Sequence, residues 1–320
     1  MRRTTVILAA AATLGMLALG TSAASAAPRP LPEGDTLYAL PCNYYSADVA
    51  DLPTLQLLDV DTTTAAATAI GTGTDVADVD CAGQGAWDAT TNTAYAIAYS
   101  WGVGGDALLI KVDLATGVST VVAPFTDAEG ETDVYSIAID AEGNAFASYD
   151  GLYSLDLDTA KITYVGGSVS NYGLAFDPTS GVLHTLNSSG ILSTVDTVSG
   201  ATNPLGDITD VGSTYSLAID SAGVVWFGID VSLPGDGYEV IIASVDSADL
   251  TSFEESGTLT VGEVAPFQEA LLIAPDVAPA PAPEPVLAAT GSGVDTSLLI
   301  GAGILGLVGI GLVARRRRAA

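Results

Sequence analysis

The chain has 320 residues, 48% of them apolar and 15% charged, and its 38 acidic residues face nine basic ones for a net charge of −29. That balance excludes a nucleic-acid partner, because phosphate binding needs clustered lysine and arginine. The single histidine, His184, sits in an apolar strand, which argues against a Ser-His-Asp triad and a His-ligated metal centre.

The first 26 residues have the three parts of a secretory signal peptide. Arg2 and Arg3 form a positive start, Val6 to Leu19 an apolar run, and Ala24-Ser25-Ala26 a small-residue cleavage site, with cutting expected between Ala26 and Ala27. After residues 27–34, a leader of the mature chain, repeated strand signals run from residue 35 to residue 275. The region between Ala27 and Thr290 contains 37 acidic residues against Arg29, Lys111 and Lys161, a net charge near −34. Such a field keeps a domain soluble and repels anionic surfaces. Cys42 and Cys81 are the only cysteines. In an exported chain they are expected to pair as a disulfide.

Two units recur. The first is a short apolar strand ending in Asp before a tight turn: Tyr135-Ser-Ile-Ala-Ile-Asp140, Tyr172-Gly-Leu-Ala-Phe-Asp177 and Tyr215-Ser-Leu-Ala-Ile-Asp220, with degenerate copies at Gly85–Asp88 and Glu269–Ala274. The second is an apolar strand entering Asp-x-x-Thr-Gly or a relative, at Asp113–Gly117, Asp156–Thr159 and Asp196–Gly200, with Leu58-Asp59 and Val245-Asp246 opening two more. Asp caps such turns and Gly accepts their positive φ, so most of these regular acids have a structural job. Four short strands per repeat make an all-β fold, a β-propeller of five four-stranded blades. Leu37–Leu40 reads as a second strand without its first, and Ala270–Ala274 as a first strand without its partners. Paired together they close the ring and leave no free edge.

These units resemble the bacterial and archaeal surface propellers of the broad NHL/YVTN-like group. The resemblance implies a fold and little about function.

Every long insertion falls on the blade face opposite the Asp turns: Cys42–Pro53, Tyr99–Asp106, Phe125–Asp133 and Asp230–Gly237. Variable loops on one side of a regular scaffold are where binding usually sits. Tyr44 and Tyr45, Trp101, and Tyr135, Tyr172 and Tyr215 at the strand entries are therefore the ligand-binding candidates, suited to stacking on a glycan or packing a peptide. No catalytic set emerges. His184 lies in an apolar strand, and the loop-side acids Asp106, Asp127, Glu129, Glu131, Asp133, Asp230 and Asp236 lack any spaced Ca²⁺ motif; no cofactor is expected, with Ca²⁺ held by two or three of these acids the one alternative left open. A carboxylate-based propeller hydrolase and a wall-attached scaffold stay open beside the binding module.

Residues 276–286 form a Pro/Ala linker. Leu287-Ala288-Ala289-Thr290-Gly291 follows, then an apolar run at 298–314 long enough for a short transmembrane helix, and a basic tail at 315–320. Four arginines after the run imply that the C-terminus stays cytoplasmic. This tail resembles that of sortase substrates, whose motif is Leu-Pro-X-Thr-Gly. Leu287, Thr290 and Gly291 match, while Ala288 replaces proline as in the Leu-Ala-X-Thr-Gly variant of high-GC actinobacteria. The resemblance implies cleavage between Thr290 and Gly291 by a class E sortase. It also implies attachment to peptidoglycan at a Gram-positive cell surface but says nothing of the domain before it, for which the aromatic loops point to an extracellular glycan or protein as partner.

Overall fold

The computed structural model describes residues 28–42, 53–76, 79, 81–99, 107–128, 130, 132–169, 173–208, 213–214, 216–233, 237–261 and 267–276. The signal peptide, the sorting motif and the apolar run at 298–314 lie outside them. Among the described residues no helix is long and apolar enough to cross a membrane.

The chain opens with β1 (Asp35–Cys42), β2 (Leu58–Val60) and β3 (Ala66–Ala69). A four-stranded sheet follows from β4 (Cys81–Asp88), β5 (Thr93–Tyr99), β6 (Leu108–Val112) and β7 (Ser119–Pro124). The next is built from β8 (Ser136–Ile139), β9 (Ala145–Ser148), β10 (Leu152–Leu155) and β11 (Ile162–Gly166), and another from β12 (Gly173–Phe176), β13 (Leu183–Leu186), β14 (Ile191–Val195) and β15 (Thr202–Asp207). A fifth sheet combines β16 (Ser213–Thr214), β17 (Ala218–Ile219), β18 (Val224–Leu233), β19 (Gly237–Asp246) and β20 (Asp249–Thr258). The chain then passes through β21 (Thr260–Val261) into β22 (Phe267–Pro275).

The last strand completes the first sheet. β22 pairs antiparallel with β1, placing Leu37 opposite Ile273 and Leu40 opposite Ala270. The protein is therefore a five-bladed β-propeller whose first blade, in the order β22-β1-β2-β3, joins the two ends of the fold.

The inner strands of the blades are buried on both faces, which explains apolar runs where half-exposed strands would alternate, whereas outermost strands such as β3 and β15 are largely exposed. The core divides into five main clusters, each between two neighbouring blades. β5 shows the logic. Ala94, Ala96 and Ala98 face the first blade, whereas Tyr95 and Ile97 face the third. Side chains are small where innermost strands converge. A Cβ at Gly85 would lie 2.8 Å from Leu272 Cδ2, and one at Gly173 would lie 2.7 Å from Leu217 Cβ. At the axis the buried Gln84 reaches across the ring. Its Nε2 donates to the Leu217 carbonyl and its Oε1 accepts from Leu217 N at 2.8 Å.

Neighbouring blades are also clasped through the backbone. Thr126, after β7, donates to Ala160 O and accepts from Ile162 N at the turn of the next blade. β21 pairs in parallel with β3 of the first blade. At the first junction the turn residue Gly117 (φ +70°) approaches the previous blade so closely that a Cβ would sit 2.0 Å from Ile70 O.

Two details correct the sequence reading. The turn aspartate of the first blade is Asp61, which accepts from Thr63 N at 2.8 Å, whereas Asp59 lies inside β2. Asp230 belongs to a strand, because β18 continues to Leu233 and pairs in register with β19 as far as Gly237.

Candidate functional site

The ends of the blades differ in what their polar side chains do. At the turn end the aspartates are occupied. Asp88 Oδ1 accepts from Thr90 N and Oγ1, and its Oδ2 from Thr91 Oγ1 at 2.6 Å. Asp177 is held in the same way by Thr179 and Ser180. Burial pushes the Asp177 carboxyl up, but these hydroxyls and amides outweigh it and hold the group below the usual carboxylate range. Asp220 accepts from Ala222 N, Val224 N and the Trp226 indole, the last at 2.9 Å. These carboxylates are parts of the scaffold.

The loop end of the third blade is different. Tyr135 immediately precedes β8 and Tyr149 immediately follows β9; their ring centroids lie 5.3 Å apart. On the outer half of the same blade Tyr153 in β10 stands opposite Tyr164 in β11, with ring centroids 5.4 Å apart at 69°. Strand parity puts all four rings on the face turned toward the second blade, because Tyr153, Ala147 and Ile137 form one cross-strand row. Four adjacent strands span about 14 Å at ordinary sheet spacing, so the tyrosines form a row of that length from axis to rim.

Charge and exposure complete the site. Tyr135 is 38% exposed and Tyr164 is 59% exposed, each far above a packed core ring. Asp150 is exposed in the turn between β9 and β10, and its Oδ1 accepts from the Tyr153 hydroxyl at 2.5 Å. Burial raises the Tyr153 phenol, and the hydrogen bond to Asp150 and the charges of Asp150 and Asp127 raise it further, so it stays a neutral donor. Tyr164 donates to Gly167 O at 3.0 Å, and its ring crosses Gly151, where a Cβ would meet Cε2 at 2.6 Å. The ring orientations are thus set by the blade itself.

Of the ligand candidates read from sequence, Tyr135 is described and belongs to this row. Tyr44, Tyr45, Trp101, Tyr172 and Tyr215 lie outside the described residues, as do Asp106, Glu129, Glu131 and Asp236. Sequence reasoning missed Tyr149, Asp150, Tyr153 and Tyr164. The signal was present as Tyr149-Asp150-Gly151-Leu152-Tyr153, a tight turn with an aromatic on each side. Cys81 begins β4, fully buried, and its thiol is not free. His184 is buried in β13, where desolvation lowers its imidazole below the usual range despite nearby Asp177. Asp230 has the most displaced carboxyl, raised by burial to about 7. Among the described residues no group of three or more potential ligands could hold a metal ion.

The strand pairing alone defines the class, a closed five-bladed propeller. No family model and no curated protein matches the chain. Among solved structures it is similar to a chain of a nidogen/laminin complex, at 13% identity and TM-score 0.48, covering 75% of this chain and 98% of that one. It is also similar to a structural-genomics protein from Bacteroides thetaiotaomicron, at 11% identity and TM-score 0.41, covering 73% and 67%. An extracellular domain of a hybrid two-component system from the same organism aligns at 16% identity and TM-score 0.33, covering 58% of this chain and 24% of that one. Superpositions this loose carry no argument about activity.

Proposed function

We propose that this protein is a cell-wall-anchored, non-enzymatic binding propeller that engages an extracellular saccharide through the loop end of its third blade. One observation carries the reading: the row Tyr135, Tyr149, Tyr153 and Tyr164 with Asp150 inside it. Sugar rings present C–H faces that pack on aromatic rings and hydroxyls that need acceptors. A carboxylate offers about four acceptor sites, and Tyr153 uses one on Asp150. The exposed rings of Tyr135 and Tyr164 give stacking surfaces on either side of that acceptor, while half-buried Tyr149 and buried Tyr153 pack against them.

The anchor belongs to the same proposal. Leu287-Ala288-Ala289-Thr290-Gly291 before an apolar run and four arginines supports sortase processing after Thr290 and attachment to peptidoglycan. A Cys42–Cys81 disulfide fits as well. Cys81 has no free thiol, and Cys42, the only other cysteine, ends β1.

A glycan array probed with the full chain, followed by titration of the best saccharide, tests the binding claim. Tyr135→Ala and Tyr164→Ala should each weaken binding about tenfold, the loss of one stacked ring. Unchanged affinity in both variants overturns the site. Replacing Thr290 by Ala should move the protein from the wall fraction to the membrane fraction, and persistence in the wall would sink the anchoring claim.

A further inference from the structure

A cavity of about 570 Å³ opens at the axis on the turn end of the blades, away from the tyrosine row. That volume lies within the range of small-molecule sites. All five blades contribute, through the ends of β4, β8, β12, β17 and β22 and the turns that follow. Its depth is limited by Leu217 and Leu272, close to where Gln84 bridges the ring. The inner wall is apolar, and Trp87 and Phe176, both half-buried, supply aromatic surface.

The mouth has the opposite character. Asp35, Asp140, Glu142 and Asp177 line it, and among the described residues no lysine, arginine or histidine does. Asp140 and Asp177 are fixed by their own turns, so their charge stays in place while much of their hydrogen-bonding capacity is spent. A concave, low-dielectric site in a chain of net charge −29 focuses a negative potential. Anions are repelled there. A cation with an apolar body gains at both levels, from aromatic contact inside and carboxylates at the rim.

We propose that the axial funnel binds a small organic cation, an ammonium group on an apolar body, with the apolar part inside and the charge at the acidic mouth. The site is independent of the tyrosine row, so loss of saccharide binding leaves it standing.

Three probes of one shape separate the terms: phenylbutylamine, phenylbutanol and phenylbutyrate, each titrated calorimetrically into the full chain at low and raised salt. The amine should bind about tenfold tighter than the alcohol, and the acid should be weakest. Raised salt should narrow the amine–alcohol gap. Glu142→Gln, an exposed change, should reduce the amine's advantage by about threefold and leave the alcohol's affinity unchanged. Ala89→Trp, at the exposed rim, should block both ligands without moving the melting temperature. Ala141→Trp on the neighbouring turn serves the same purpose if the first variant does not fold. Equal affinity for amine and alcohol, undetectable binding of all three, or full binding by a folded rim variant would overturn the proposal.

Discussion

The two ends of the blades use the same residue type in opposite ways. At the turn end Asp88, Asp177 and Asp220 accept hydrogen bonds from their own turns, and the first two are held below the usual carboxylate range. At the loop end Asp150 sits exposed among tyrosines and Asp230 is raised to about 7 by burial. Acidity by itself therefore says nothing about role. Donors decide it: a carboxylate given two or three of them becomes structure, and one given few remains available for chemistry or binding.

The largest expected effect breaks that comparison at its structural side. Asp220 is 1% exposed and holds two backbone amides and the indole of the fully buried Trp226. Asp220→Ala should cost about 4 kcal/mol, since it strands those buried donors. Thermal unfolding would show this as a drop of roughly 10 °C for a domain of this size. Gly117→Ala comes next, at about 3 kcal/mol, because the turn must keep a left-handed φ and the new Cβ would strike Ile70 O. The contrasting Ala160→Gly should be nearly neutral. Ala160 already adopts φ +55° and meets its neighbour through a Thr126 hydrogen bond. A loss in Gly117→Ala of only about 1 kcal/mol, the cost of a left-handed alanine alone, would show that conformation, and not the inter-blade approach, governs the clasp.

Asp230 sharpens the other side. Its folded value lies above the ordinary carboxylate value, so the native state holds a proton that the unfolded chain releases. The contribution of Asp230 to stability should therefore be greatest in acid, fall between about pH 4 and pH 7, and level off above. Asp230→Asn should remove that fall, raising stability at pH 8 by about 2–3 kcal/mol after allowing for partial exposure, with little change at pH 3. Chemical denaturation across that pH range gives the answer. The turn aspartates act with the reverse sign. Asp88 and Asp177 stabilise at neutral pH, and that contribution is lost as pH falls below about 4.

The fold was legible because turn chemistry repeats. Asp-x-x-Thr-Gly at 113–117 and 196–200, and strands ending at Asp140, Asp177 and Asp220, mark blade after blade, and the partial units at either end predict the closing pair β1–β22. Register was harder. In Leu58-Asp59-Val60-Asp61 two aspartates compete for the turn, and the choice falls to Asp61 through the hydroxyl and amide of Thr63. The tyrosine row was half legible. Tyr135 stood in a repeat, but Tyr149, Tyr153 and Tyr164 meet only once three strands are paired in register, which no local pattern encodes. Gln84 was invisible for the same reason, since its partner Leu217 lies 133 residues away.

The smallest effect tests whether the tyrosine row is poised for a ligand or is itself part of the scaffold. Asp150 is exposed, so its hydrogen bond to Tyr153 competes with water and should stabilise the fold by less than about 1 kcal/mol. Asp150→Asn keeps an acceptor and removes the charge. At neutral pH the melting temperature should hardly move. Above pH 10 the variants should diverge. The raised Tyr153 phenol makes the native state lose stability as the unfolded tyrosine ionises, and removing the neighbouring charge lowers the folded phenol and reduces that loss. A phenol absorbance titration combined with alkaline unfolding reads both. If Asp150→Asn instead destabilises the protein at pH 7 as strongly as Asp220→Ala, Asp150 is a scaffold group and the distinction between the two ends fails.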